Sequence, residues 1–557
     1  MGTTRRLVLP GVCLAMALAV LGPLLGRGFV LSYDMVFAPR QTLLPDSLGL
    51  GSALPRSVPA DAVVAFLTTV VPGDLVQQLL LLAALVVGPL GAGLLVPSDS
   101  QTVRVVAAVA YGWSAYVAER LFIGHWPYLL AYACLPWIAR AALALRTDPK
   151  LKQLAVLVLV TAPAVLTPSG GLLAAGTAIV CGGVRRLPVT IGVSVALNAP
   201  WWVPAVLHPG GGLSTPDAVT AFAARGESWG GPLVSLLGLG GIWNSEVTPA
   251  SRANPLVPVL IIAMVGVAIL GMRELHRRWG PGLLVLGVAG LLVAALGGTG
   301  LLGWVVAHVP GGGLLRDSQK WVAWWALPFA LGFALGVAKA AKAASTAGTN
   351  SKAAKGIVIA AAVIPIAMMP DLAWAGWGRL QAVDYPADWA EVRHILATDP
   401  RGGDVVTLPF QAFRQFGWNG ERTQLDPAPR VLPRTTVIDD TLVVNGRPLA
   451  GEDPRAAAIR DGGDLKDLGI GWVLVEHGTP GRVDRAVLDQ GHPVHEGEWL
   501  DLYRVDGTIA PDPTTKPPRP AVLAADALAL VTVTLSLLWL ALPAGSLRRS
   551  NRRTREL

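Results

Sequence analysis

The segment Ser32-Tyr33-Asp34-Met35 follows the first long apolar block directly, which places a carboxylate within a few residues of a helix end, at the depth of lipid headgroups. A carboxylate there can take a proton from a hydroxyl as a general base, or sit as a solvated interfacial acid. Further on, Glu119-Arg120-Leu121-Phe122-Ile123-Gly124-His125-Trp126 gathers an acid, a cation, a histidine and an aromatic into one short connection. Glu119, Arg120 and His125 are suited to orienting an acceptor or tuning Asp34, while an intrahelical ion pair with a tryptophan anchor would use the same residues. A third segment, Val309-Pro310-Gly311-Gly312-Gly313-Leu314-Leu315-Arg316-Asp317-Ser318-Gln319-Lys320-Trp321, joins a glycine run to two cations four residues apart. On one helical face Arg316 and Lys320, with the Gln319 amide between them, can hold a phosphate; pairing with Asp317 is the competing use.

Other polar residues carry weaker signals. Asp46, Asp61 and Asp74 stand in cap and turn contexts such as Pro45-Asp46-Ser47. Asp217, Glu227, Trp229, Trp243 and Glu246 mix carboxylates with indoles, an arrangement that suits a sugar ring and equally suits interfacial anchoring. The run Phe410-Gln411-Ala412-Phe413-Arg414-Gln415-Phe416-Gly417-Trp418-Asn419-Gly420 reads either as an acceptor-sugar groove or as a loop that docks a domain on its neighbour. Cys13, Cys134 and Cys181 lie in apolar blocks without metal-ligand spacing, and no phosphate loop, nucleophile elbow, dinucleotide fingerprint or HExxH motif is present, so no metal site is assigned.

The elements that must position these residues are membrane helices. Of 557 residues 52% are hydrophobic and 15% charged, well short of the roughly 25% charged in soluble proteins. Apolar blocks near the roughly 20 residues of a bilayer span fall at 7–27, 77–97, 102–121, 127–146, 151–168, 170–184, 187–207, 255–273, 280–299, 321–340, 355–372 and 520–543, which predicts about twelve spans. The formal charge of +8 comes from short clusters between blocks, not from a continuous basic face, which argues against a nucleic-acid partner. Those clusters alternate: Arg5 with Arg6, Arg104, Arg146 with Lys150 and Lys152, Arg185 with Arg186, 273–278, 339–355 and 548–555 fall on one side. The positive-inside bias makes that side cytoplasmic, with both termini on it, in the multi-pass topology of a cell (plasma) membrane protein.

The fold class expected is therefore a polytopic α-helical membrane protein with a C-terminal extracytoplasmic α+β domain. Its parts are a multi-span core at 1–375 with outer loops at 28–76, 208–254 and 299–320, an α+β domain at 376–510, a Pro-rich linker at 511–519, a last span at 520–543 and a basic cytoplasmic tail at 544–557. Short runs rich in β-branched residues at 405–408, 437–444 and 472–475 predict strands, and 389–396 a helix.

Taken together, Asp34, the stretch from Glu119-Arg120 to Pro136-Trp137, and Leu314-Leu315-Arg316-Asp317-Ser318-Gln319-Lys320 resemble the C-type glycosyltransferases that use polyprenyl-phosphate sugars, closest in character to actinobacterial cell-wall arabinofuranosyl- and mannosyltransferases. The resemblance implies transfer of a pentose or hexose from a polyprenyl-phosphate sugar donor to a cell-envelope glycan or glycolipid acceptor within the lipid bilayer, with inversion. It assigns Asp34 as general base, Arg316, Lys320 and Gln319 to the donor phosphate, and Glu119, Arg120 and His125 to orientation. Met35 follows Asp34 where many members carry a second acid, so a divalent metal is possible but not implied. Two other functions fit many spans with interfacial charges: a transporter or flippase of a lipid-linked saccharide, and a non-catalytic envelope assembly factor.

Overall fold

The computed structural model describes residues 2–52, 54–208, 215–346, 351–444 and 446–542; the basic tail and 209–214 of the second large loop lie outside them. Each of the twelve apolar blocks is helical, but they are not alike. Seven helices are long and apolar enough to cross a membrane, and two further pairs, Gly282–Ala295 with Gly300–His308 and Lys352–Met368 with Pro370–Trp377, are bent by 95° and 61°. The count among described residues is thus seven to nine. The difference from twelve has local causes. The block at 102–121 breaks at Trp113 into Gln101–Gly112 and Ala115–Phe122, where the Ser114 side chain caps the second helix. The blocks from 151 to 184 shorten because Pro163 falls in a 3-10 turn and Pro168 begins a new helix.

Burial orders the bundle. The span Ser318–Thr346 is 89% buried and forms its axis, whereas Arg519–Ala541 is 11% buried and lies at the periphery. The axis packs tightly on Leu256–Trp279 through small residues: a Cβ at Gly271 would come within 1.9 Å of the Gly332 carbonyl, and one at Gly336 within 1.9 Å of the Val267 carbonyl. In a bilayer, where apolar burial drives helix pairing little, this close backbone approach supplies the packing energy.

The stretch 376–510 holds a five-stranded mixed sheet in the order Gly491–Glu496, Leu500–Val505, Ile470–Glu476, Asp404–Leu408, Thr436–Val437. The last three strands are mutually parallel and the first two antiparallel. Side-chain alternation splits its core: Trp472 and Leu474 pack with Trp389 and Leu396 of helix Ala387–Thr398, while Val473 and Val475 face Ile459 of helix Pro454–Arg460. The run at 437–444 is two strands, Thr436–Val437 and Leu442–Val444, separated by Asp439 and Asp440. The antiparallel pair at 491–505 escapes the sequence reading because its outer strand, with two His, a Pro and a Glu, has no apolar face.

Candidate active site

Asp34 stands on a two-residue turn. Ser32 and Met35 exchange backbone hydrogen bonds, the Ser32 amide to the Met35 carbonyl at 3.2 Å and the Met35 amide to the Ser32 carbonyl at 2.9 Å, so Tyr33 and Asp34 form the corner. Tyr33 has φ +44°, the left-handed region such tight turns require. The turn is stitched to the connection after helix Ala115–Phe122: the Asp34 amide donates to the Ile123 carbonyl at 3.2 Å and the Ser32 hydroxyl to the Phe122 carbonyl at 2.9 Å. Gly124 makes this fit possible, because at φ +78° a Cβ would lie 2.2 Å from the Met35 nitrogen and 2.3 Å from the Ser32 oxygen. Gly124→Ala is expected to push the turn off its seat, at a cost of about 1–3 kcal/mol from overpacking. A lowered melting temperature together with lost activity is the expected reading; wild-type values of both would show that the close approach is unimportant.

The seating brings His125 to Asp34, with His125 Nε2 2.9 Å from Asp34 Oδ2. On the other side of the ring, Arg120 Nη1 is 2.9 Å from His125 Nδ1. A guanidinium only donates, so Nδ1 must be the acceptor, the ring is neutral and its proton sits on Nε2, donated to Asp34. The electrostatics agree. Burial, with the nearby charges of Lys320 and Arg120, holds His125 below its ordinary value against the pull of Asp34. Burial raises Asp34, yet the hydrogen bond from His125 and the charges of Lys320 and Arg430 outweigh it, so Asp34 stays ionised. Although dense protein surrounds it, 43% of the Asp34 side chain is accessible.

Behind this pair lies a fully buried network. Arg120 also bonds Asp317 Oδ2 at 3.1 Å and the Gln319 side-chain oxygen Oε1. The Gln319 amide donates to Glu119 Oε2 at 3.1 Å and to the Gly240 carbonyl at 3.2 Å. Burial and the neighbouring Glu227 carboxylate push Glu119 well above the ordinary carboxylate value. Arg252 donates twice to Glu227, at 2.9 and 2.6 Å, and its charge holds Glu227 below that value against its own burial. Burial raises Asp317, but the charges of Arg120 and Lys320 overcome this and hold it well below the carboxylate range.

Lys320 links the network to Asp34 through its charge. Its ammonium contacts Asp317 Oδ2 at 3.3 Å and the Tyr128 hydroxyl at 3.2 Å, which leaves one of its three N–H groups for another acceptor. Arg316 goes elsewhere. The segment forms two 3-10 turns, Gly312–Leu315 and Ser318–Val322, with Arg316 and Asp317 between them, so a spacing of four does not give one α-helical face. The Arg316 guanidinium lies over the Phe222 ring at 5.3 Å, within the fields of Arg56, Glu452 and Asp317.

Of the residues singled out in sequence, Asp34, His125 and Lys320 thus gather at one place. Glu119, Arg120 and Gln319 are wholly buried and act through neighbours, and Arg316 stands apart on Phe222. Tyr128 was missed, although its position three residues after His125 puts it on the same helical face. Glu227 and Arg252 belong to the site's support, a long-range pairing with no local signal. Among the described residues no group of three or more His, Cys, Asp or Glu side chains gathers as metal ligands. The segment 410–420 proves to be a docking element: its Asn419 donates to the Leu31 carbonyl at 3.2 Å.

The chain thus joins a multi-span core, an acid on a turn just beyond the first helix, and an appended sheet domain. The chain is similar to the cryo-EM structure of arabinofuranosyltransferase AftD from Mycobacteria, with a TM-score of 0.57 and 17% identity over 92% of its length. A mutant form of that enzyme aligns with a TM-score of 0.54 and 16% identity over 91% of the chain. The match covers 40% and 42% of those larger chains, and the likeness is one of fold. No protein-family model and no curated protein matches the sequence.

Proposed function

We propose that this protein is a cell-envelope glycosyltransferase of the plasma membrane, with both termini cytoplasmic and the site and sheet domain outside, that moves a sugar from a polyprenyl phosphate to a glycan or glycolipid hydroxyl. The observation that carries the reading is an accessible, ionised Asp34 with a neutral His125 donating to it and an ammonium nearby. A lipid phosphate sugar is already activated at its anomeric carbon, so the protein must accept one proton and steady one leaving phosphate. Asp34 takes the proton from the acceptor hydroxyl while that oxygen bonds to the anomeric carbon. The carbon–phosphate oxygen bond breaks in the same step, and the phosphate departs with the electron pair and one more negative charge, held by the remaining N–H of Lys320. Attack opposite the leaving group inverts the anomeric centre. The likeness to an arabinofuranosyltransferase makes a pentofuranose the first donor to test.

The test is proteoliposomes containing the purified protein, a radiolabelled polyprenyl-phosphate pentose and an oligosaccharide acceptor. Appearance of a new glycosidic bond supports the reading; label that crosses the bilayer without a new bond would identify a transporter instead. In the same assay Lys320→Met removes one charged hydrogen bond to the donor. It should raise the donor KM roughly ten- to hundred-fold, the equivalent of about 1.5–3 kcal/mol. An unchanged KM would remove Lys320 from the phosphate site.

A further inference from the structure

Asp34 shares its turn with a residue that belongs, by hydrogen bonding, to another part of the molecule. The Tyr33 amide donates to the Thr423 carbonyl at 2.7 Å, and the Leu425 amide donates to the Tyr33 carbonyl at 2.8 Å, so Tyr33 pairs with Gln424 as a parallel strand would. Gln424 and Leu425 form one arm of a hairpin whose other arm is Phe413–Arg414. Asn419, at the hairpin's end, bonds both the Leu31 carbonyl at 3.2 Å and the Gln424 side chain at 2.5 Å, and Asn419 and Gln424 are wholly buried.

The hairpin is itself anchored to the sheet. Arg414 is completely buried and bonds Glu476 at the end of strand Ile470–Glu476, Asp426 at 2.9 Å and Thr407 of strand Asp404–Leu408 at 3.0 Å. A guanidinium between two desolvated carboxylates admits one geometry, because any displacement leaves a buried charge unpaired. A continuous path of hydrogen bonds therefore runs from the sheet through Arg414 and the hairpin to Tyr33. From the opposite side the Tyr33 hydroxyl bonds Glu246, and burial with that carboxylate pushes the phenol up to about 12.

We infer that the hairpin 413–425 of the C-terminal domain is a positioning element of the transferase site, and that its main-chain pairing with Tyr33 sets the aim of Asp34. The inference rests on the reading of Asp34 as the base. Its physical reason is the conformation of Tyr33: a residue with a Cβ leaves the left-handed region unless held there, and the two bonds from 423 and 425 hold it. If Tyr33 relaxes, the corner opens and Asp34 moves off His125. The domain is then an integral part of the site, and Thr423, Leu425, Asn419 and Arg414 are positioning residues that need not touch a substrate.

Leu425→Pro in the full-length protein tests this, since proline removes the amide that donates to Tyr33. Three readings are expected. Hydrogen exchange should rise in the peptide 29–38 and stay at the wild-type level in 404–408. The turnover number should fall about a hundred-fold at unchanged donor KM, the scale of a displaced catalytic group. The acid limb of the pH–rate profile should move up toward the ordinary carboxylate range, because Asp34 loses the hydrogen bond that lowers it. Tyr33→Gly added to Leu425→Pro should restore part of the rate, as glycine takes positive φ without help. Raised exchange with an unchanged turnover and acid limb would overturn the inference, as would absence of rescue by glycine. If Leu425→Pro does not fold, Asn419→Ala gives the same exchange and pH readings at smaller size. Loss of the transferase reading would appear separately, as a wild type that transfers nothing while exchange at 29–38 still responds to Leu425→Pro.

Discussion

Asp34→Asn is expected to lower glycosyl transfer by about 10² to 10⁴, the worth of a positioned general base. At about 1.4 kcal/mol per decade this is a rise of roughly 3–5 kcal/mol in the barrier. The substitution isolates basicity. An asparagine carbonyl still accepts the proton that His125 Nε2 donates, the main-chain bond to Ile123 remains, and the accessible side chain leaves no desolvated charge behind. The variant should therefore reach the membrane in normal amount, melt at the wild-type temperature and bind donor with unchanged affinity. Normal transfer by Asp34→Asn would sink the role of Asp34 and favour an assembly function. The wild type makes a companion prediction. A base held below the ordinary carboxylate value by His125 and Lys320 stays ionised as the pH falls through the histidine range, so turnover should be flat there and decline only under the ordinary carboxylate value of 3.8. An acid limb lying above the ordinary carboxylate value, toward but below the ordinary histidine value of 6.5, would move the base to His125.

Arg120→Ala is expected to do the greatest damage to stability. Its guanidinium is wholly buried and serves three acceptors: His125 Nδ1, Asp317 Oδ2 and the side-chain Oε1 of Gln319. Truncation leaves Asp317 with Lys320 alone and His125 Nδ1 with no donor, and breaking such a buried pair costs about 3–5 kcal/mol. The chemical consequence is separate. With the donor to Nδ1 gone, the ring is free to place its proton on that nitrogen and turn a lone pair toward Asp34, which removes the bond that keeps the base ionised. Thermal unfolding in detergent should show a clearly lowered melting point, with transfer lost beyond what the folded fraction explains. Arg120→Lys should recover little, because a single ammonium cannot meet three acceptors laid out for a planar fork. A variant Arg120→Ala that melts and turns over as the wild type would show that the network is decorative.

How much of this was legible beforehand varies by residue. Every apolar block read from the sequence is helical, because hydrophobic length is a one-dimensional property. Their number as straight spans was overcounted where Trp113, Pro163 and Pro168 end helices inside apolar runs, since composition does not register a break that leaves hydropathy unchanged. Asp34, His125 and Lys320, each marked by residue type and nearness to a span end, lie together in the structure, whereas Glu119 lies behind them and Arg316 stands apart. The pairing of Arg316 with Lys320 on one face was not, because it assumed an α-helix where the glycine-rich approach folds as 3-10 turns. The segment 410–420 offered two readings, and only the contact of Asn419 with Leu31, 388 positions away, decides for docking.

By itself, then, the sequence determined the membrane class, the order of helical blocks ahead of a sheet domain, and the short list of polar residues at span ends, all of which follow from local composition and spacing. The tertiary structure decided which of those residues meet. The bond between His125 and Asp34, the approach of Glu119 to Glu227, the seat of Arg316 on Phe222, and the clamp of residues 423 and 425 on Tyr33 are all contacts between distant segments. Hydrogen bonds are short-ranged and directional, so partners hundreds of residues apart leave no periodic trace in the chain and are selected only when the packed helices bring them within 3 Å or so.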